Sequence, residues 1–203
     1  MTREGPPHAP LVISFAAMST SPLAIDTVPT PNPSALMFRV PETLVPTGTF
    51  EFRSLAAASD APLPRRIFDI PGVLTVLVAP RFVTVNKEED VPWPMLVPTI
   101  KDAIRDFLDS GDIAVPDDLS PGTNTTDPLA RKVIALLDEF IRPAVAQDGG
   151  DIIFRGIEDG VVLVKLIGSC SSCPSSTATL AMGVERMLLE EVPEVRGVRQ
   201  VTD

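Results

Sequence analysis

Apolar and polar positions keep two rhythms along this chain, and the switches between them mark its elements. Ala35–Val40 and Thr47–Arg53 read as strands, with Phe50 and Phe52 alternating onto one face. Pro62–Asp69 reads as a short helix that Pro71-Gly72 ends. Val73–Ala79 and Arg81–Val85 read as a strand pair around Pro80. Pro94–Ser110 then repeats apolar residues every three or four positions. Leu96, Ile100, Ile104, Phe107 and Leu108 share one stripe, and Gly111 is the stop signal.

The segment GDIAVPDDLSPGTNTTD that follows keeps neither rhythm and is rich in Pro, Gly, Asp and Thr, the composition of a linker. Beyond it, Asp127 is an N-cap candidate with Pro128 at the first helical position. Leu129, Val133, Leu136, Leu137, Phe140 and Ile141 recur with helical period, and Pro143 is placed to kink that helix near its end. Gly149-Gly150 reverses the chain. Asp151–Ile157 and Val161–Ile167 read as strands joined by Glu158-Asp159-Gly160 in a hairpin. Pro174 starts a further helix with Leu180, Val184, Met187 and Leu188 on its buried side, and Val195–Val201 reads as a last short strand.

The expected fold class is therefore α+β, in two small domains. The first, residues 27–111, has the order β-β-α-β-β-α. The second, residues 127–203, has the order α-β-β-α-β. Residues 112–126 link them, and residues 1–26 read as a disordered extension. Asp26 to Pro33 is a stiff, turn-rich start to the structured part.

Composition narrows the function classes. Most of the 22 prolines precede Asp127, so the two halves are built differently. The net charge of −10 is spread along the chain, and no basic stripe is present to follow a phosphate backbone, so no nucleic-acid partner is expected. The apolar run Leu11–Met18 is far shorter than the roughly 20 residues of a membrane span, so no membrane partner is expected either. The first residues lack both a signal-peptide pattern and the Arg-rich, acid-poor pattern of a mitochondrial address. A bacterial cytoplasmic location is the expectation, with the mitochondrial matrix as the alternative, and Met18 is a second candidate start.

Only two cysteines occur, as Cys170-Ser171-Ser172-Cys173-Pro174, too few for a disulfide-stapled scaffold. They fall where a strand gives way to a helix. Free N–H groups and the positive end of the helix dipole favour negative charge there, which supports thiolates. The surrounding Ser169, Ser171, Ser172, Ser175 and Ser176 are small and can donate to sulfur, or serve only as a solvated turn and caps. Structural zinc and iron–sulfur clusters normally take four protein ligands, so two thiolates make half a site. Three readings follow. The pair is a redox dithiol, or it shares zinc between chains, since the only histidine is His8 in the tail, or two copies supply four thiolates to one 4Fe–4S cluster. No acid–base pair, nucleophile constellation or phosphate loop is evident, so an enzyme is not expected.

The stretch Asp148-Gly149-Gly150-Asp151, Glu158-Asp159-Gly160 and Gly168-Ser169-Cys170-Ser171-Ser172-Cys173-Pro174-Ser175-Ser176 resembles the NifU-like C-terminal domain. Thr30-Pro31-Asn32-Pro33, Phe68-Asp69-Ile70-Pro71-Gly72-Val73 and Phe82-Val83-Thr84-Val85 resemble the Nfu N-terminal domain. The resemblance covers about residues 27–203. It implies an iron–sulfur cluster assembly or carrier protein, with Cys170 and Cys173 as metal and cluster ligands and a 4Fe–4S cluster held between two subunits. It implies as partners apo iron–sulfur clients, upstream scaffold or carrier proteins, and a second copy of the chain in a homodimer. The first domain is implied to help recognise them. Gly149-Gly150 reads as a structural turn rather than as part of the chemistry. The alternative is a zinc-bridged or redox-switch CxxC adaptor module.

Overall fold

Strong β-formers in short alternating runs, separated by proline turns, build the first domain. The computed structural model describes residues 24–116, 125–171 and 174–202, the side chains of 171–181 excepted. Five strands, β1 (Asp26–Pro29), β2 (Ala35–Arg39), β3 (Phe50–Phe52), β4 (Val73–Ala79) and β5 (Phe82–Lys87), form an antiparallel sheet in the order β1-β2-β5-β4-β3. The helices α1 (Pro62–Phe68) and α2 (Trp93–Ser110) interrupt and follow them. Phe38, Phe50, Phe52, Val76, Val78, Val83 and Val85 turn one face of the sheet toward Leu63 and Ile67 of α1 and Leu96, Ile100, Ile104 and Phe107 of α2. The helix stripe expected on Pro94–Ser110 is the buried one, and Gly111 closes α2 in the left-handed conformation.

Two expectations change at the ends of this domain. Asp26–Pro29 was expected as a turn-rich start but forms an edge strand paired with β2, from Asp26 opposite Arg39 to Pro29 opposite Leu36. The order is thus β-β-β-α-β-β-α. An edge strand bonds on one side only, so Pro29 is tolerated where a central strand would exclude it. Ile25 on one side, and Ala114 and Val115 on the other, are buried in the first core. The packed unit therefore reaches into both the expected extension and the expected linker.

The second domain begins as expected. The Asp127 carboxylate accepts from the Leu129 N–H at 3.0 Å and caps α3 (Pro128–Leu136). The kink assigned to Pro143 is a π-turn over Leu137–Ile141, followed by α4 (Arg142–Gln147). Proline has no N–H for the preceding turn, and the wider turn accommodates that loss. The extra residue in the turn shifts the phase of the stripe. Val133 and Leu137 are buried, whereas Phe140, expected in the stripe, is 55% exposed.

The strands β6 (Gly150–Glu158) and β7 (Val161–Gly168) form the expected hairpin, with Asp159 and Gly160 both at positive φ in its two-residue loop. The short 3₁₀ turn Ser169–Ser171 leads to α5 (Pro174–Glu191), which crosses over to place β8 (Gly197–Gln200) parallel to β7. Ile152, Val162, Val164 and Leu166 face Val133, Leu137, Val184 and Leu188. Leu180, expected on the same side of α5, lies outside the described side chains. Among the described residues no helix is long and apolar enough to cross a membrane.

The two domains touch. The face of the first sheet turned away from α1 and α2 carries Leu77 and Ala79, which form a small apolar cluster with Ile167 of β7, joined by Phe82 and Ile153. The first sheet is therefore a middle layer, with helices on one side and the second domain on the other.

Candidate functional site around the cysteine turn

Residues with no side chain make this site possible. Gly149 and Gly168 both take positive φ, and the backbones of the 149–150 turn and the end of β7 lie against each other. A Cβ at Gly168 would stand 2.6 Å from the Gly149 carbonyl oxygen. A Cβ at Gly150 would stand 2.8 Å from both the Cys170 Sγ and the Ile167 carbonyl oxygen. Contacts that short do not occur, so only glycine fits beneath the thiol. The reading of Gly149-Gly150 as a simple reversal is thereby extended, since the pair is the floor on which Cys170 rests.

Cys170 lies in the 3₁₀ turn and is only 4% exposed, counted among the apolar side chains of the second core. The Ser169 hydroxyl donates to the Asp148 carbonyl and lies 3.7 Å from Cys170 Sγ. The Ser169 N–H donates to the Gly149 carbonyl at 3.3 Å. The serine thus ties the cysteine turn to the glycine pair through both backbone and side chain. Cys173, the other expected ligand, lies outside the described residues, as do Ser172 and His8. Among the described residues no three His, Cys, Asp or Glu side chains are grouped to hold a metal ion.

Asp151, the last residue of the glycine motif, is largely shielded from water. Burial pushes its carboxyl above the usual range, while a Thr49 hydrogen bond, the nearby Arg142 and the Ile152 N–H pull in the other direction. Its Oδ1 accepts from that N–H at 2.7 Å and lies 3.5 Å from Arg142 Nε. Arg142 also reaches Asp138 at 2.8 Å, joining the π-turn to the start of β6.

Sequence reasoning did not find the side chains of the first domain that reach this turn. The Asn32 amide donates to the Ser169 carbonyl at 3.4 Å, and the Asn86 amide to the Gly168 carbonyl at 3.5 Å. The Gly168 N–H donates to Glu51 Oε1 at 2.8 Å, while Arg53 holds the other oxygen of that carboxylate at 2.8 Å. Asn32 is aimed by its own loop. Its Oδ1 accepts from the Ser34 N–H at 3.0 Å, and the Thr30 hydroxyl lies 2.9 Å from its carbonyl. The Thr30-Pro31-Asn32-Pro33 segment is therefore a shaped contact as well as a stiff start. The available signal was the alternation of Thr84 and Asn86 with Val83 and Val85, which puts polar groups on the sheet's second face. The contact also has a cost. Among the described residues, Thr84 Oγ1 and Asn86 Oδ1 are buried there without a hydrogen-bond partner. Such groups cost roughly 1–3 kcal/mol each.

Comparison with known proteins matches both halves of the chain. Residues 25–111 match the family described as scaffold protein Nfu/NifU N terminal, and residues 133–199 match the NifU-like domain. The chain is 44% identical over 183 residues to the human protein named NFU1 iron-sulfur cluster scaffold homolog, mitochondrial, covering 88% of this chain and 72% of that protein. It is 40% identical to the proteins of the same name from Drosophila virilis and Drosophila sechellia, covering 95% and 88% of this chain and 66% and 65% of theirs. These names overturn the expectation of a bacterial cytoplasmic protein, since all three relatives are mitochondrial. That expectation rested on the composition of the first residues. An import address is a loose compositional pattern with no fixed motif, and it is a weak basis for assigning a compartment. With both domain patterns matched in order, and a relative matched over most of its length, the chain belongs to the Nfu family.

Proposed function

We propose that this protein assembles or carries an iron–sulfur cluster, with Cys170 and Cys173 as its ligands. The observation that carries the reading is the glycine floor beneath Cys170, in a chain whose relatives are named as iron–sulfur cluster scaffolds. A built seat for a thiol at a strand-to-helix junction suits a ligand better than a filler of the core. One chain offers two thiolates and a 4Fe–4S cube takes four, so two copies share one cluster as cargo. With two ligands from each side, an incoming apo-protein displaces thiolates stepwise as the copies separate. Apo iron–sulfur proteins are then the recipients, and upstream scaffold or carrier proteins the donors. The relatives' names support a mitochondrial setting and a scaffolding role in preference to an enzymatic one.

Anaerobic reconstitution with iron and sulfide tests this. About four irons per dimer are expected, and Cys170→Ala or Cys173→Ala abolishes both iron uptake and dimer formation. Iron-free monomers after reconstitution overturn the reading. The burial of Cys170 within a single chain favours a second reading, a zinc-bridged or redox-switch module. Its mark is about one zinc per dimer, or a reversible Cys170–Cys173 disulfide, with no iron taken up.

A further inference from the structure

We propose that the second face of the first sheet is a docking surface for the cysteine turn of the same chain, and that this seam must part before Cys170 can join a site shared with a second copy. Only the clause about the shared site rests on the cluster-carrying reading above.

The face is built for an occupant. Met37, Leu77, Ala79, Thr84 and Asn86 are all buried, yet Met37, Leu77 and Ala79 lie outside the first domain's own core. Gly149 sits against three first-domain residues. A Cβ there would stand 2.9 Å from Thr84 Oγ1, 3.2 Å from Thr30 Cγ2 and 3.4 Å from Met37 Cβ. Asn32, Asn86 and Glu51 then hold the backbone of Gly168 and Ser169, the two residues that precede Cys170. Recognition is of main-chain polar groups in a shape that only glycines allow. The first domain thus grips both backbone segments that form the cysteine seat.

The grip opposes loading. A cysteine that is 4% exposed cannot also reach a ligand held by another chain, so the turn must move before a shared site forms. It cannot move freely while a charge-assisted hydrogen bond from the Gly168 N–H to Glu51, and hydrogen bonds donated by the Asn32 and Asn86 amides, hold its base. The contact is also made to separate. Thr84 Oγ1 and Asn86 Oδ1 lack partners among the described residues when docked and gain water when the faces part, which offsets part of the loss. The seam is therefore a latch. It holds the turn that keeps the thiol in its own domain's core, and it frees the first sheet's second face once the turn leaves it.

The test uses the full chain carrying Cys173→Ser, so that only Cys170 reacts. Labelling with a thiol-disulfide reagent is followed under native conditions in this chain, with Glu51→Gln, and with the pair Asn32→Ala and Glu51→Ala. Faster labelling by about tenfold or more is expected in the double variant, with a smaller rise for Glu51→Gln. Equal rates in all three chains, with unchanged circular dichroism, overturn the latch. Hydrogen exchange at the Gly168 amide decides the matter should the double variant unfold. Protection in the unsubstituted apo chain that falls at least tenfold with Glu51→Gln, while the amides of β4 and β5 stay protected, supports the latch, and equal protection overturns it. Iron uptake by the same variants, with Cys173 restored, separates the two proposals. Faster labelling without iron uptake sinks the carrier reading alone, and normal uptake with unchanged labelling sinks the latch alone.

Discussion

The two domains solve the problem of a core in different ways. The first closes five strands and two helices around aliphatic and aromatic side chains, none of them chemically reactive. The second has three strands, and its core includes Cys170, a residue proposed to leave that core when the protein is loaded. A self-sufficient core keeps its packing whatever the ligand state. A core that contains its own ligand has a stability that depends on where the sulfur goes. The difference assigns the first domain the part of a fixed platform and the second the part that changes.

The largest effect that would sharpen this contrast is expected in the platform. Ile104 is fully buried on α2, and Ile104→Ala should cost about 4 kcal/mol in thermal or denaturant unfolding. Iron stoichiometry per folded dimer should stay the same, and a loss of iron binding by folded protein would break the division of roles. Next is Gly168→Ala, which meets the Gly149 carbonyl and forces an alanine into left-handed backbone. A cost of about 3 kcal/mol is expected from the two strains together. Here iron uptake should fall as well, because the seat of Cys170 is displaced. A Gly168→Ala chain that binds iron normally would show that the glycine floor does not matter to the site.

The smallest effect concerns Asp151. Burial raises its folded-state pKa above the unfolded value, so the ionised form is disfavoured by folding. Its contribution to stability is most favourable below the unfolded carboxyl pKa and is lost as pH rises through the folded value. Asp151→Asn should therefore raise the melting temperature slightly at neutral pH. The advantage should shrink as the solution is acidified into the carboxylate range. A variant that is less stable at neutral pH would mean that the Arg142 and Thr49 interactions outweigh burial.

Local pattern made much of this molecule legible. The α2 stripe, the Asp127 cap and the Asp159-Gly160 hairpin are each decided by neighbours in sequence, and each stands where the pattern put it. Phe140 departs from its expected place because a π-turn adds one residue to the helical repeat, a shift that counting by three and four does not reveal. The strand at Asp26–Pro29 escaped notice because its prolines read as turns, whereas an edge position tolerates them. Cys170 could be named from its spacing to Cys173, but the polar serines beside it argue against burial, and the structure buries it.

The sequence by itself determined the two-domain α+β plan, the strand-to-helix junction that carries the cysteines and the count of two thiols per chain. These follow from local propensity, turn chemistry and composition, which act over a few residues. Only the tertiary structure decided that Gly150 lies beneath Cys170, and that Asn32, Glu51 and Asn86 hold the turn. Asn32 and Ser169 are 137 positions apart, and no periodicity spans that distance. Their meeting depends on how the second face of one sheet is buried. A five-stranded sheet with helices on one side leaves its other face to be covered by water or by protein, and here it is the cysteine domain that covers it.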